Sequence, residues 1–295
     1  MAITILCQMT GINTSATSSR YNGNIDRVNI VSFKNFLLLM LLLKLAALTA
    51  FALDKPPEIR TSDEAEEVLE IVNKKIIISP EQAELYVSRG DIYFLLREFE
   101  NAEEDYTRAL ELDENNDAAY YGRGMALGRM RFVKEGIADL SVFISLHPES
   151  SLAYTKRGVR YIWLGDRDNA LKDLSKAVQL DPNNAEAHDD LGVVFAQKGE
   201  YAKALKHFHL TINLDPTYQK AYHNLAMVYF ITGSDNKALI SVNNSLALVP
   251  EYRDSLLLKS KILEALGKLE EARELKEQAA FLAASDDWSE HAPVE

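Results

Sequence analysis

Apolar residues along most of this chain recur every three or four positions, which is the spacing of one face of an α-helix. Between residues 171 and 178, for example, the apolar positions are Leu171, Leu174, Ala177 and Val178. No stretch of the sequence alternates apolar and polar residues in the way that a half-buried strand does. The pattern therefore predicts an all-α protein.

The helical pattern repeats every 34 residues, five times in succession, from Ala83 to Tyr252. Each repeat has a small residue at its eighth position, where two helices can approach closely: Gly90, Gly124, Gly158, Gly192 and Ala226. Glycines also fall midway through the last three repeats, at Gly165, Gly199 and Gly233, and predict a turn between two helices. Since one helix pair cannot bury its own apolar face, the pairs are expected to stack on one another.

In their period, spacing and residue types these units resemble the tetratricopeptide repeat family. The resemblance implies a right-handed superhelical solenoid of antiparallel helix pairs. We expect five repeats over 83–252, a degenerate sixth or capping repeat over 253–284, and a disordered tail over 285–295. Residues 53–82 are expected to form a linker and one N-terminal packing helix, because acidic residues open that helix and lysines end it.

The first 52 residues lack the 34-residue repeat and differ from the rest of the chain in composition. An apolar run from 36 to 52 contains one charged residue, Lys44, and is short for a membrane span of about 20 residues. Ala50 and Ala52 supply the small residues of a signal-peptide cleavage site, and basic residues precede the run. The pattern favours export to the periplasm or beyond the cell. Retention as a membrane anchor stays open, as does a true start at Met40.

Arginine and aspartate occur together in the first three repeats and are both missing from the last two. Arginine stands at position seven and aspartate at position 23, as Arg89 with Asp105, Arg123 with Asp139, and Arg157 with Asp173. We expect an ion pair inside each repeat, because a partly buried arginine needs a partner. The alternative is that three arginines face an acidic ligand.

The resemblance places ligands in a concave groove lined by positions two, five, nine, twelve and thirteen of each repeat. Candidate groove residues at these positions are Phe94, Leu95, Tyr121, Met125, Val159, Ile162, Trp163, Met227 and Phe230. The expected surface is apolar and aromatic with few charges at its centre. For Phe94, Ile162 and Ile231, packing against the adjacent repeat is an equal alternative.

Some members of the family clamp the terminal carboxylate of a chaperone with lysine and asparagine at positions five and nine. This chain has Val87 and Asp91 there in its first repeat, and an equally unsuitable pair, Thr155 and Val159, in its third. The sequence therefore excludes that clamp.

Composition limits the chemistry further. The chain carries 32 basic and 44 acidic side chains, a net charge of −12, which disfavours nucleic acid and anionic lipid as ligands. Its one cysteine, Cys7, precedes the repeats, so no disulfide is expected. His207 and His209 point to different helix faces and are interpreted as surface residues, and the acidic turn of Glu186, Asp189 and Asp190 as a solvated face. We expect no catalytic residue, metal or cofactor.

The sequence predicts a non-catalytic scaffold that binds an apolar or amphipathic segment of a protein or peptide partner, in the cell envelope or secretory route. Any membrane contact would come from residues 36–52 alone. The alternative is a chaperone or assembly factor that binds unfolded clients transiently.

Overall fold

The structure is a computed structural model that describes residues 62–282, within which every regular element is an α-helix. The predicted leader, apolar run and C-terminal tail lie outside these residues. The thirteen helices of the described part are α1 Ser62–Ile78, α2 Ala83–Leu95, α3 Phe99–Leu112, α4 Asp117–Arg129, α5 Val133–Leu146, α6 Ser151–Trp163, α7 Arg167–Leu180, α8 Ala185–Gln197, α9 Tyr201–Leu214, α10 Gln219–Ile231, α11 Asp235–Leu248, α12 Arg253–Ala265 and α13 Leu269–Ala280. The predicted all-α fold is confirmed.

From α2 onward the helices pack as six pairs, and each pair contacts the next through its second helix. The first helices of neighbouring pairs, such as α4 and α6 or α8 and α10, also contact each other directly. Among the described helices, no such contact joins one second helix to the next. The stack therefore curves with the first helices on its inner, concave side, and the predicted helical-repeat solenoid is confirmed.

Small residues let the two helices of a pair approach closely. Ala170, Ala204 and Ala238, at position 20 of successive repeats, are 0% exposed. At position eight, a Cβ added to Gly192 would lie 2.4 Å from Cε1 of Phe208. The large ring on α9 thus occupies the space that glycine leaves on α8, which is why large and small residues alternate in the pattern.

The turn within each pair requires one residue in the left-handed backbone region. Gly165, Gly199 and Gly233 have φ between +72° and +76° at this position, as the sequence predicts. In the first two repeats the same position is taken by arginines, Arg97 with φ +63° and Arg131 with φ +70°. Because a Cβ disfavours this region, the two N-terminal turns carry backbone strain that the later turns avoid.

The two ends of the described stack differ in how they meet solvent. Helix α1 packs on α2 through Ala65 and Val72, which cluster with Ile92. Helix α13 buries Ala272 and Ala279 and is otherwise rich in exposed charge. Over residues 62–282, the structure contains no helix with the length and apolar character needed to cross a membrane.

Candidate functional site

An arginine–aspartate pair ties the two helices together in each of the first three repeats. In the second repeat, Arg123 Nε and Nη2 donate to the two carboxylate oxygens of Asp139 at 2.7 and 2.9 Å. The same two-point contact joins Arg89 to Asp105 and Arg157 to Asp173. Hydrogen bonding to Asp139 raises the pKa of Arg123, so the guanidinium is charged at all ordinary pH values.

Each of these arginines also reaches the preceding helix. The remaining nitrogen, Nη1, donates to a polar side chain 16 residues earlier: Asn73, Thr107 or Ser141. One guanidinium therefore joins three consecutive helices. All of its nitrogens are engaged inside the stack, so these arginines hold the solenoid together and are poorly placed for an acidic ligand.

A cavity of about 420 Å³ opens on the concave side of the second to fifth pairs. The first helices α4, α6, α8 and α10 form its walls. Five of the nine candidate groove residues line it: Met125, Val159, Ile162, Trp163 and Met227. Val193 and Ile231 add to the apolar part of the lining. Two of the lining residues, Gln197 and Ile231, are exposed to solvent.

The other candidate groove residues lie outside this lining. Leu95 is 60% exposed on the first pair. Phe94 packs edge-on against Phe99 with ring centroids 5.3 Å apart, and Tyr121 packs on Phe143 at 5.0 Å.

Two of the candidate residues, each at the twelfth position of its repeat, pack between neighbouring repeats. Phe230 packs with the buried cluster that contains Ala226 and Val242. Ile162 touches the cavity but is only 6% exposed and belongs to a core cluster with Leu174. Packing against the next pair, which was an equal alternative for Ile162, therefore describes both Ile162 and Phe230 better than a ligand contact.

The cavity also holds more charge than the sequence suggested. Seven charged side chains line it: Arg129, Lys156, Arg160, Glu186, Asp189, Asp190 and Lys220. The expectation of few charges at the centre of the groove was therefore wrong. Lys156, Arg160 and Asp190 stand at positions six and ten of their repeats, which the curvature of the stack turns inward together with position nine.

Arg160 is the most deeply buried of these charges, at 2% exposed. Its guanidinium lies 4.9 Å from the ring centre of Trp163, and its Nη2 approaches the carbonyl oxygen of Met125 at 3.4 Å. Its Nε is buried and has no hydrogen-bond partner among the described residues. Burial, and then the charge of Arg129, lower the pKa of Arg160 to about 10, so it remains a cation at pH 7.

Three carboxylates face the cavity from the first turns of α8. Lys156 Nζ donates to both oxygens of Glu186 at 2.6 and 2.7 Å, and Asn224 Nδ2 donates to both oxygens of Asp189 at 3.1 and 3.2 Å. Oδ2 of Asp190 is buried and accepts no hydrogen bond from any residue between 62 and 282. The prediction that these three residues form a solvated acidic face is therefore wrong.

Desolvation is the main influence on Asp190. Burial, followed by the charges of Asp189 and Glu186, raises the pKa of Asp190 well above its usual range. Lys156 and Lys220 act in the opposite direction but do not outweigh these effects. The carboxyl group is therefore held in an environment that disfavours its charge.

His207 is also placed differently from the prediction. It lies half-buried between helices, stacked on Phe195 with centroids 5.4 Å apart, and its Nδ1 is 3.1 Å from Nδ1 of His188. Burial, then the neighbouring His188, lowers the pKa of His207 to about 4. The described residues hold no group of three or more histidine, cysteine or acidic side chains that could bind a metal.

The stacked helix pairs define the class of the protein, a helical-repeat solenoid, and the comparisons identify its family. Models of the tetratricopeptide repeat match residues 83–116 and 185–218, and a model described as a TPR repeat matches 158–199. The chain is a tetratricopeptide repeat protein, as the sequence predicts. Proteins of this family are protein-interaction scaffolds, and the chain is one of them. No curated protein sequence matches it.

Several solved structures share the fold. The crystal structure of YrrB, a TPR protein with an unusual peptide-binding site, is 26% identical with a TM-score of 0.50, and the match covers 64% of this chain and 97% of that one. A tetratricopeptide repeat protein from Parabacteroides merdae is 22% identical with a TM-score of 0.62, covering 74% and 85%. PilW, a type IV pilus biogenesis factor, is 20% identical with a TM-score of 0.61, covering 66% and 91%. The last two show the fold alone.

Proposed function

We propose that this protein is a non-catalytic scaffold that holds one segment of a partner protein in the cavity on its concave side. The observation that carries the proposal is the cavity itself, which runs across four successive first helices and is lined by both apolar and charged side chains. Met125 and Met227 lie on opposite walls, and unbranched thioether side chains adapt readily to the shape of a bound segment. YrrB, which resembles this chain over most of its own length, is a TPR protein with an unusual peptide-binding site.

The segment that fits such a site is amphipathic, in a helical or extended conformation. Val159, Val193 and Ile231 offer contacts to its apolar side chains, whereas the charged lining offers hydrogen bonds to its polar groups. The scaffold would work in the cell envelope or on the secretory route, exported or anchored through residues 36–52. That part of the proposal rests on the apolar run and the small residues Ala50 and Ala52 at its end.

Site-specific photo-crosslinking tests the proposal in the cells that produce the protein. A photoreactive phenylalanine analogue is placed at Gln197 or Ile231, which line the cavity at exposed positions. The matched control is Ile240 on the second helix of the fifth pair, which is 62% exposed and outside the cavity. Because all three side chains are exposed, none of the substitutions should unfold the stack.

We expect one partner to crosslink from Gln197 and Ile231 but not from Ile240. A broad set of weakly captured proteins from the same two positions would instead favour the chaperone, which binds many clients transiently. Crosslinks from Ile240 alone would refute groove binding and move the interface to the outer surface. The mass of the recovered chain also shows whether residues 1–52 have been removed.

A further inference from the structure

Two polar atoms of residues that line the cavity are buried without a hydrogen-bond partner, and among the described side chains these are the only two of their kind. They are Oδ2 of Asp190 on α8 and Nε of Arg160 on α6. Both side chains line the cavity proposed to hold the partner segment. A buried polar atom that lacks a partner destabilises the folded protein, so a ligand that supplies the missing contact would gain binding free energy there.

The neighbouring groups cannot satisfy Asp190. Lys156, the nearest lysine on the facing helix α6, is bonded to both oxygens of Glu186. Asn224 on α10 gives its amide to both oxygens of Asp189. Lys220, the other lysine of the lining, acts on Asp190 through its charge, but Oδ2 of Asp190 has no hydrogen-bond donor among the described residues.

A cation is the best complement to this third carboxylate. Asp190 has two other carboxylates on the same helix face, at Glu186 and Asp189, and these outweigh the two lysines in their effect on it. A backbone N–H could fill the hydrogen bond but would leave the charge repulsion among the carboxylates unchanged. A positively charged donor supplies the hydrogen bond and also reduces the charge repulsion among the carboxylates.

Arg160 lies nearby but does not fill this role. Its charge and that of Asp190 influence each other, yet no hydrogen bond joins them. Its Nε is buried against Gly128 of α4, 2.8 Å from the position of an added Cβ, and is closed to a bound segment. The apolar residues Val159 and Trp163 on α6 also line the cavity, so a contact at Asp190 would be shielded from water on binding.

We propose that Asp190 is the polar anchor of the bound segment: its carboxyl group takes a lysine or arginine side chain of the partner. The proposal rests on groove binding and deepens it by naming the chemistry of the partner. The ligand is then an apolar segment interrupted by one basic residue.

A random library of twelve-residue peptides displayed on phage is the probe, selected on the full-length chain held in mild detergent. Three variants are selected in parallel. Asp190→Asn removes the charge of the anchor but keeps its shape. Glu149→Gln removes one exposed carboxylate outside the cavity and is the matched control for net charge. The double variant Gln197→Trp, Ile231→Trp fills the cavity from two exposed lining positions.

We expect peptides selected on the natural chain and on Glu149→Gln to carry one lysine or arginine at a fixed spacing from apolar residues. Asp190→Asn should lose this preference, and a synthetic peptide from the selection should bind it at least tenfold more weakly. The same peptide with norleucine in place of its basic residue should bind the natural chain and Asp190→Asn equally. Asp190→Asn should also melt at a higher temperature than the natural chain, because it removes a buried carboxylate from beside two others.

Two other results would overturn the inference, and they differ in what they leave standing. If apolar peptides are enriched without a basic residue, or the preference survives in Asp190→Asn, the anchor is wrong but groove binding stands. If the natural chain enriches nothing beyond what the filled cavity enriches, groove binding itself is wrong, and the anchor with it. Melting curves of every variant exclude unfolding as the cause.

Discussion

The first three repeats and the next two have the same fold but are held together by different contacts. In the N-terminal region, α2 to α7, an arginine on the first helix of each pair bonds an aspartate on the second. In the C-terminal region, α8 to α11, the same two positions are Leu191 with His207 and Leu225 with Ser241. Leu191 and Leu225 are 3% and 4% exposed, so apolar burial replaces the ion pair.

This difference shows that the helix-pair geometry does not require the charges. A buried ion pair can be exchanged for well-packed apolar residues with little change in stability, provided that both partners change together. The two regions illustrate both solutions in one chain. Four sets of substitutions, each of which copies residues from one repeat into another, test how complete the equivalence is.

The largest effect is expected from Arg123→Leu in the N-terminal region. It leaves Asp139, whose side chain is 9% exposed, without its partner and should lower the free energy of unfolding by about 3 kcal/mol. Adding Asp139→Ser completes the conversion to the pair found in the fifth repeat and should recover most of the loss. Urea denaturation measures both. A double variant as unstable as the single one would show that the ion pair is not an independent unit.

A smaller effect is expected at the close contact of the fourth repeat. Gly192→Ala places a Cβ 2.4 Å from the Phe208 ring and should cost about 2 kcal/mol, because the ring has to shift. The fifth repeat has Ala226 and Val242 at the same two positions, both 0% exposed. In a Phe208→Val background the alanine should therefore cost less than about 0.5 kcal/mol. Equal costs in the two backgrounds would exclude steric contact as the cause.

The next effect is a pH dependence of the free energy of unfolding, which arises from His207 in the C-terminal region. Burial lowers the pKa of His207 to about 4, whereas the unfolded chain has its usual value of 6.5. The unfolded state therefore binds the proton first, so stability from this group is complete above pH 6.5 and is lost as the pH falls toward 4.

Because His207 is only half-buried, we expect a loss of about 2 kcal/mol over this window. Urea denaturation at a series of pH values measures it. His207→Ser, which copies Ser241 of the next repeat, should flatten the profile between pH 6.5 and 4. An unchanged slope would assign the pH dependence to other groups.

The smallest effect concerns the turn between the two helices of a pair. Arg131→Gly relieves the positive φ of +70° in the N-terminal region and should raise the free energy of unfolding by about 0.5–1 kcal/mol. The reverse change, Gly199→Ala, should cost a similar amount, because nothing lies within 4 Å of the added Cβ and only the backbone is strained. Thermal melting compares the two variants. If both melting temperatures shift in the same direction, backbone strain at the positive φ is not the cause.

Local features of the fold were predictable because each depends on contacts at a constant spacing along the chain. The glycine at Gly192 and the ring at Phe208 are 16 positions apart, as are Arg123 and Asp139, so a repeated sequence shows both pairings. The turns at Arg97 and Arg131 were not predictable, because arginine carries no signal for a positive φ. There the packed helices on either side impose the backbone angle.

The site was predictable only in part. Met125, Val159, Trp163 and Met227 line the cavity at positions that the repeat pattern indicated. Phe94 stands at an equivalent position but lies on the first pair, whereas the lining is confined to the second to fifth pairs. Tyr121 lies on the second pair but packs on Phe143 of its own pair. Position within a repeat does not show how far along the stack the cavity extends.

The sequence by itself determined the helices, the period, the stacking of pairs and the family, because these follow from apolar spacing and from contacts within one or two repeats. The tertiary structure alone decided where the concave cavity lies and which charges it encloses. Arg160 and Asp190 illustrate the reason: each is an ordinary charged residue in its own helix, and Nε of Arg160 and Oδ2 of Asp190 become buried only when the helices of four repeats curve around the same space. Burial and unsatisfied hydrogen bonding are properties of that assembly and are not encoded at a single position.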